Sequence, residues 1–456
     1  MMRSFAHKLH TKEFILMRKI LLSLALIVAC SLGYALDRQP GADYHARREA
    51  LAKKAGGVVV LLAPLEAFDS VYAFRQENNF YYLSGVTVPG AGLLIAPATE
   101  AKDDVPARAY TEILFLPPRN LRVEKFTGPQ LGGDDPQAPK LTGFDRVEDM
   151  GKLPDEVAKS LANQRPLVFT ELASPGSTPA SEDMLGFLRH SNAMVFFQDV
   201  KPMLSSLRTA KDPGEIALLQ KAVDASVAAH SAAMKAVKPG VKEYEISALM
   251  QYEWDKRGCE RPSYASIVGS GHNSTVLHYS ENTNTMKAGD VVVIDAAAEY
   301  SMYAADITRT LPIHGHFTAR QKEIYDIVLG AQEAAMAAFQ SGKSMLTGDS
   351  ESSLNKVARD YIKSHGKDLH GQPLDQYFIH GLGHYIGLDV HDPGDYKVPL
   401  GPGMAFTIEP GIYIPEENIG VRIEDDYLVG ADGKLSKLSA ALPSKPEEVE
   451  KAMAGK

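Results

Sequence analysis

Two blocks of unlike texture predict two folded domains, an α/β domain over residues 36–205 and an α+β domain over residues 206–456. Three observations carry this. The first block alternates short apolar runs with turns rich in Pro, Gly and Asp. The second opens on a capped helix after a break at Leu207–Pro213. It then carries two segments that echo each other, Val291–Pro312 and Met404–Leu428, each reading as strand, turn, strand with one acid on either strand. At 45% apolar and 23% charged, the 456 residues hold enough hydrophobic side chains for large cores, which excludes a disordered, collagenous or polytopic membrane chain. Two cysteines cannot supply a disulfide framework or a thiolate zinc cluster.

Residues 1–35 stand apart. Arg3, Lys8, Lys12, Arg18 and Lys19 face a single acid, Glu13, and precede the apolar run Ile20–Ala29 and the small-residue exit Gly33-Tyr34-Ala35. That order is the order of a secretory signal peptide. It predicts an exported, periplasmic protein. The run is short and interrupted for a membrane span of ~20 residues. A second reading is lipidation, because Ile27-Val28-Ala29-Cys30 fits a lipoprotein signal with Cys30 as acceptor. The leader holds five of the 48 basic residues and one of the 57 acids, so the mature chain carries a net charge of −13. Such a surface disfavours nucleic acid as a partner.

In the α/β domain, Gly57–Ala63, Gly92–Ala96 and Glu112–Leu116 read as buried strands. Asp155–Ala162 and Ser181–His190 read as helices, and Gly128–Thr142 as a loop. In the second domain, Asp212-Pro213 is an N-cap followed by proline at the first helical position, with the stop at Pro239-Gly240. Further helices are expected at Tyr244–Lys256, which places Trp254 in the core, and near Ala319–Gln340 and Ser352–Ser364.

The echoing segments hold the chemistry. Asp295 ends a run of β-branched residues and Asp306 follows eleven residues later, with no Lys or Arg between them. Glu409 and Glu424 occupy the matching places in the second segment. A carboxylate in or beside a buried strand is costly unless it is paired or metal-bound. Between the segments, FIHGLGHYIGLDVHD sets His380, His384 and His391 among glycines, and His278 lies upstream in GSGHNSTVLHY. His272 in that stretch reads as an ordinary turn residue. One imidazole with four carboxylates is an oxygen-rich donor set suited to Mn²⁺, Co²⁺ or Zn²⁺. Four acids would overcharge one ion, so two divalent ions ~3.5–4 Å apart are expected, with Mn²⁺ the first choice and a hydroxide held between them as nucleophile.

These residues resemble the pita-bread metallopeptidase family, most closely its aminopeptidase P (Xaa-Pro aminopeptidase) branch. FRQENNFYYLSGV, LRTAKDPGEI and LPSKPEEVE extend the likeness from about residue 40 to 455. The resemblance implies a pita-bread (creatinase/aminopeptidase-like) α+β catalytic domain of two pseudo-symmetric halves. It implies Asp295, Asp306, His384, Glu409 and Glu424 as metal ligands. It also implies His278, His380 and His391 around the substrate, Glu409 as proton shuttle, and Tyr413 and Arg422 near the proline. The expected substrates are peptides with proline at position 2, and the expected assembly is a homo-oligomer, a dimer or a tetramer. Phe126 stands where tetrameric members carry a Trp. The rival readings are an Xaa-Pro dipeptidase (prolidase) and a metal-free binding module. The complete ligand set argues against the latter.

N-terminal sequencing of protein from its native host is expected to find a chain beginning near Leu36. A chain beginning at lipid-modified Cys30 would support the anchored alternative.

Overall fold

The computed structural model describes residues 37–66, 73–101, 107–162, 166–172, 186 and 195–455. The expected leader with Cys30, and the expected helix at Ser181–His190 apart from Gly186, lie outside the described residues. Among the described residues no helix is long and apolar enough to cross a membrane.

In the α/β part, helix α1 (Gly41–Lys54) leads into strand β1 (Val58–Leu62), followed by α2 (Asn78–Ser84), β2 (Gly92–Ala96), β3 (Thr111–Leu116), β4 (Val147–Asp149), α3 (Leu153–Leu161), β5 (Leu167–Thr170) and β6 (Phe196–Asp199). The strands form one sheet in the order β4-β3-β2-β1-β5-β6. β2 runs antiparallel to β1 and β3, whereas the other pairings are parallel. The β-branched and apolar runs read from the sequence lie in this sheet, with Val58, Val60, Leu94, Ile113 and Phe115 packed on Leu153, Val157 and Leu161 of α3. The stretch expected as a loop at Gly128–Thr142 closes with a helical turn, Ala138–Thr142. Pro139 costs no hydrogen bond in a first turn, and Gly143, at φ 72°, ends it.

The second part begins with α4 (Lys201–Arg208), α5 (Pro213–Ala236) and α6 (Glu243–Asp255). Asp212 accepts from the Glu215 backbone and Glu215 reaches back, a capping box that fixes where α5 starts. The helix ends at Ala236, before the expected stop, because Lys238 precedes Pro239 and is pushed away from helical geometry. Trp254 is buried.

Strands β7 (Arg261–Pro262) and β8 (Ile267–Ser270) lead into the two echoing segments, and each has four strands rather than two. The first comprises β9 (Val291–Asp295), β10 (Ala298–Tyr300), β11 (Tyr303–Ala304) and β12 (Thr308–Pro312). Helices α7 (Ala319–Ala338) and α8 (Leu354–His365) intervene. The second comprises β13 (Ala405–Ile408), β14 (Gly411–Ile414), β15 (Ile419–Arg422) and β16 (Asp425–Val429), before β17 (Leu435–Lys437) and α9 (Pro446–Met453). In both, the first and last strands pair antiparallel around an inner antiparallel hairpin. Asp295 pairs with Thr308, and Ile408 with Asp425. Asp295 is the last paired residue of β9, and the other three acids lie just beyond the ladders: Asp306 precedes β12, Glu409 follows β13 and Glu424 precedes β16.

The two halves are joined beside these acids. Glu424 donates its N–H to the Thr308 carbonyl at 3.1 Å. Next to it, Arg309 and Asp425, both fully buried, pair at 2.6 Å. Arg309 also reaches the carbonyls of Thr308, Glu424, Leu442 and Pro443, and Asp425 accepts from Gln332, Lys437 and Ser439. With every donor answered, the buried pair is tolerated, and removing one member strands the other. Asp425→Ala is expected to destabilise the protein by ~3–5 kcal/mol. Thermal unfolding should show it as a drop of several degrees, against little change for Asp326→Ala at an exposed ion pair.

Candidate metal centre

The strand ends bring Asp306, His384 and Glu424 together, with one ligand atom from each within 4.8 Å of the others. Glu409 Oε1 lies 3.4 Å from His384 Nε2, as does Asp306 Oδ2. His384 is held by its backbone: its N–H donates to Thr407 Oγ1, and the Thr407 N–H donates to its carbonyl. This pairing against β13 needs Gly383, since a Cβ there would collide with the Thr407 carbonyl. Nδ1–H of His384 donates to the Tyr385 carbonyl at 3.0 Å, which leaves Nε2 facing the acids.

Asp295 is neutralised from afar. No base lies between Asp295 and Asp306 in the chain, yet Arg422 Nη2 donates to Asp295 Oδ2 at 2.6 Å. The same guanidinium donates to Tyr413 Oη at 2.9 Å, and Tyr413 lies 2.8 Å from His380 Nε2. Thus Arg422 and Tyr413, read from the sequence as substrate contacts, are buried and committed to Asp295 and His380.

The charges explain the electrostatics. Burial, with Asp306, Glu409 and Asp295 nearby, pushes the Glu424 carboxyl well above its usual range. Burial pushes Glu409 up to about 7, and raises Asp295 against the pull of Arg422. For His384, burial opposes a charge, but the bond to Asp306 and the field of Glu409 outweigh it and lift the imidazole to about 9. His380 moves the other way, down to about 4, through burial and the Arg422 charge. His391 is lowered by burial and by His384.

Of the remaining sequence-predicted residues, His391 is exposed, and its ring lies 4.0 Å from that of His384. His278 is exposed and close enough to depress both His380 and His391. His272 lies on the surface against Asn418.

The comparisons with known proteins agree with this geometry. The model of Metallopeptidase family M24 matches residues 217–431, and that of the aminopeptidase P N-terminal domain matches residues 44–169. The chain is 35% identical to the Xaa-Pro aminopeptidase of Escherichia coli over 90% of its length and 97% of that protein. It is 33% identical to human Xaa-Pro aminopeptidase 3, over 86% and 80%. The low-pH form of E. coli aminopeptidase P superposes with a TM-score of 0.80 at 31% identity, covering 92% of this chain and 99% of that one. A putative aminopeptidase P from Bacillus anthracis gives 0.82 at 28% identity, covering 91% and 99%. The chain belongs to metallopeptidase family M24. Its C-terminal part is the pita-bread domain of that family, preceded by the α/β domain of aminopeptidase P.

The site suits the divalent cation of a metallopeptidase. Asp295, Asp306, Glu409, Glu424 and Asp426 crowd together against two bases, Arg422 and His384. Asp295 Oδ1 and Asp426 Oδ1 are buried with no hydrogen-bond partner. Oxygens so placed call for a positive ion. The sequence reading missed four residues of this M24 site. Tyr264 donates to Asp306 Oδ1 at 2.6 Å, Thr308 to Glu424 Oε2 at 2.6 Å and Thr407 to Glu409 Oε1 at 3.2 Å. Asp426 accepts from the Asp306 N–H. Asp426 was visible as the second acid after Glu424, but Tyr264 and the two threonines carry no spacing signal. Groups that orient a ligand matter nearly as much as the ligand. Tyr264→Phe is expected to weaken metal affinity by ~10–100-fold. Metal titration followed by thermal shift reads this, with the exposed Tyr252→Phe expected to bind as the parent does.

Proposed function

We propose that the protein is a metal-dependent aminopeptidase that hydrolyses the bond between the first residue of a peptide and a proline at position 2. The observation that carries this reading is the convergence of Asp306, His384 and Glu424 in a chain 35% identical to an Xaa-Pro aminopeptidase. That likeness favours the aminopeptidase over the dipeptidase alternative.

In this reading Asp295, Asp306, His384, Glu409 and Glu424 hold two divalent ions, with Mn²⁺ the first choice for a set of four carboxylates and one imidazole. Bound there, the ions supply a nucleophile at neutral pH and polarise the scissile carbonyl. The remaining work belongs to side chains. Glu409 would take the proton that the attacking water gives up and pass it to the leaving nitrogen. Proline needs this step, because its tertiary amide nitrogen leaves only once protonated. His391 and His278, exposed beside the centre, donate to the carbonyl oxygen as it gains charge. His380 is held neutral, and its contact with Tyr413 orients the ring. Arg422 and Tyr413 brace Asp295 and His380 beside the proline.

The leader composition supports export, and the exposed Phe126 supports a homo-oligomer that covers it, a dimer or a tetramer. Native-host fractionation and light scattering read these two points.

With Mn²⁺ supplied, Ala-Pro-Ala should be cleaved and Ala-Ala-Ala should not. Cleavage of Ala-Pro with none of the tripeptide would return the assignment to prolidase. His384→Ala should lose both metal and rate. His391→Ala should keep its metal and lose ~10²–10³ in kcat. Equal metal loss in the two variants would overturn this division of roles.

A further inference from the structure

His391 has a well-defined place but no hydrogen bond to its own ring among the described residues. Its ring lies against that of His384, and the loop around it is held through two acids, Asp389 and Asp392. Asp392 is buried inside the loop that carries the histidine: Oδ1 accepts the Asp389 N–H at 3.1 Å, and the Asp392 N–H donates to the Tyr385 carbonyl. The charge on Asp392 is answered from outside the metal centre. Arg208, the last residue of α4, donates Nη2 to Asp392 Oδ1 at 2.6 Å, and Lys211 donates Nζ to Asp392 Oδ2 at 2.9 Å. All three side chains are at most 3% exposed.

The contact also reaches the α/β domain. The Arg208 fork donates Nη2 to Asp389 Oδ2 at 2.6 Å and Nη1 to Asn79 Oδ1 at 2.7 Å. Asn78, beside Asn79 on α2, donates to the other oxygen of Asp389 at 2.6 Å. Residues on both sides of His391 are thus tied to the linker ahead of α5 and to a helix of the N-terminal domain. A buried carboxylate that loses one of two cations drives its loop to rearrange. A shift of about 1 Å in a group that must meet the reacting atoms can cost ~10²-fold in rate.

We propose that Arg208 and Lys211 are positioning residues for His391: the linker holds Asp392, and through it sets the histidine against the substrate carbonyl. This rests on the reading of His391 as a substrate contact. It gives the N-terminal domain a part in the rate of the reaction, distinct from metal binding.

The test is a double-mutant cycle on the full-length, metal-loaded enzyme with Ala-Pro-Ala as substrate. Arg208→Lys keeps the charge but loses the planar fork that serves Asn79, Asp389 and Asp392 together. It is expected to keep its metal and lower kcat by ~10–10²-fold, with a smaller change in KM. Combined with His391→Ala, it should lower the rate no further than His391→Ala alone. A role confined to stability would leave kcat unchanged or give effects that multiply, and either result overturns the proposal. Should Arg208→Lys fail to fold, the half-exposed Asp389→Asn replaces it, with a several-fold loss of kcat expected that vanishes in the His391→Ala background. A full-rate Asp389→Asn enzyme then overturns it. His391→Ala at parental rate would bring down the reading of His391 and this proposal with it. A slow His391→Ala beside a full-rate Arg208→Lys brings down this proposal alone.

Discussion

Five carboxylates share one buried space: Asp295, Asp306, Glu409, Glu424 and Asp426 lie close enough to raise one another's proton affinity. In a low-dielectric interior such a cluster is strongly repulsive, and the fold carries it only by arranging cations and hydroxyl donors around it. That explains why four of the acids sit where the antiparallel ladders open, at the end of β9, before β12, after β13 and before β16. It explains why Tyr264, Thr308 and Thr407 each spend a hydroxyl on one of them. It also explains why Arg422 is drawn to Asp295 across 127 residues of chain. A divalent ion completes the same balance with more charge than a side chain can supply.

The histidines divide according to their surroundings. His384 is fixed by two backbone contacts to Thr407 and presents Nε2 to the acids. His380, near Arg422 and braced by Tyr413, is kept neutral. His391 and His278 stay exposed, where a substrate can reach them. Four imidazoles of one residue type thus sit in three different settings, set by which charge each one faces.

Two buried ionic clusters hold the frame, and they differ in what they hold. Arg309 with Asp425 pins the halves of the pita-bread domain beside the acids. Arg208 and Lys211 with Asp392 tie the linker to the loop of His391. Neither is read easily from the chain, because each partner is separated from the other by more than a hundred residues. Local charge patterns report only neighbours three or four residues away.

Much of the site was nonetheless legible. Asp295 after a β-branched run and Asp306 eleven residues on read by themselves as turn-capping aspartates at strand ends, and the matching Glu409 and Glu424 made a shared cation site the better reading. Apolar runs located β1, β2 and β3, and Asp212-Pro213 located the start of α5, because burial periodicity and capping are local properties. The sequence alone therefore determined three strands of the sheet, the capped start of α5 and the set of acids that a shared cation would explain. The tertiary structure alone decided that each echo has four strands, that Arg422 and Tyr413 face Asp295 and His380, that Tyr264 serves Asp306, and that Arg208 reaches the loop of His391. Those facts depend on which distant segments pack together, and packing is settled by the fit of whole faces rather than by any spacing within one.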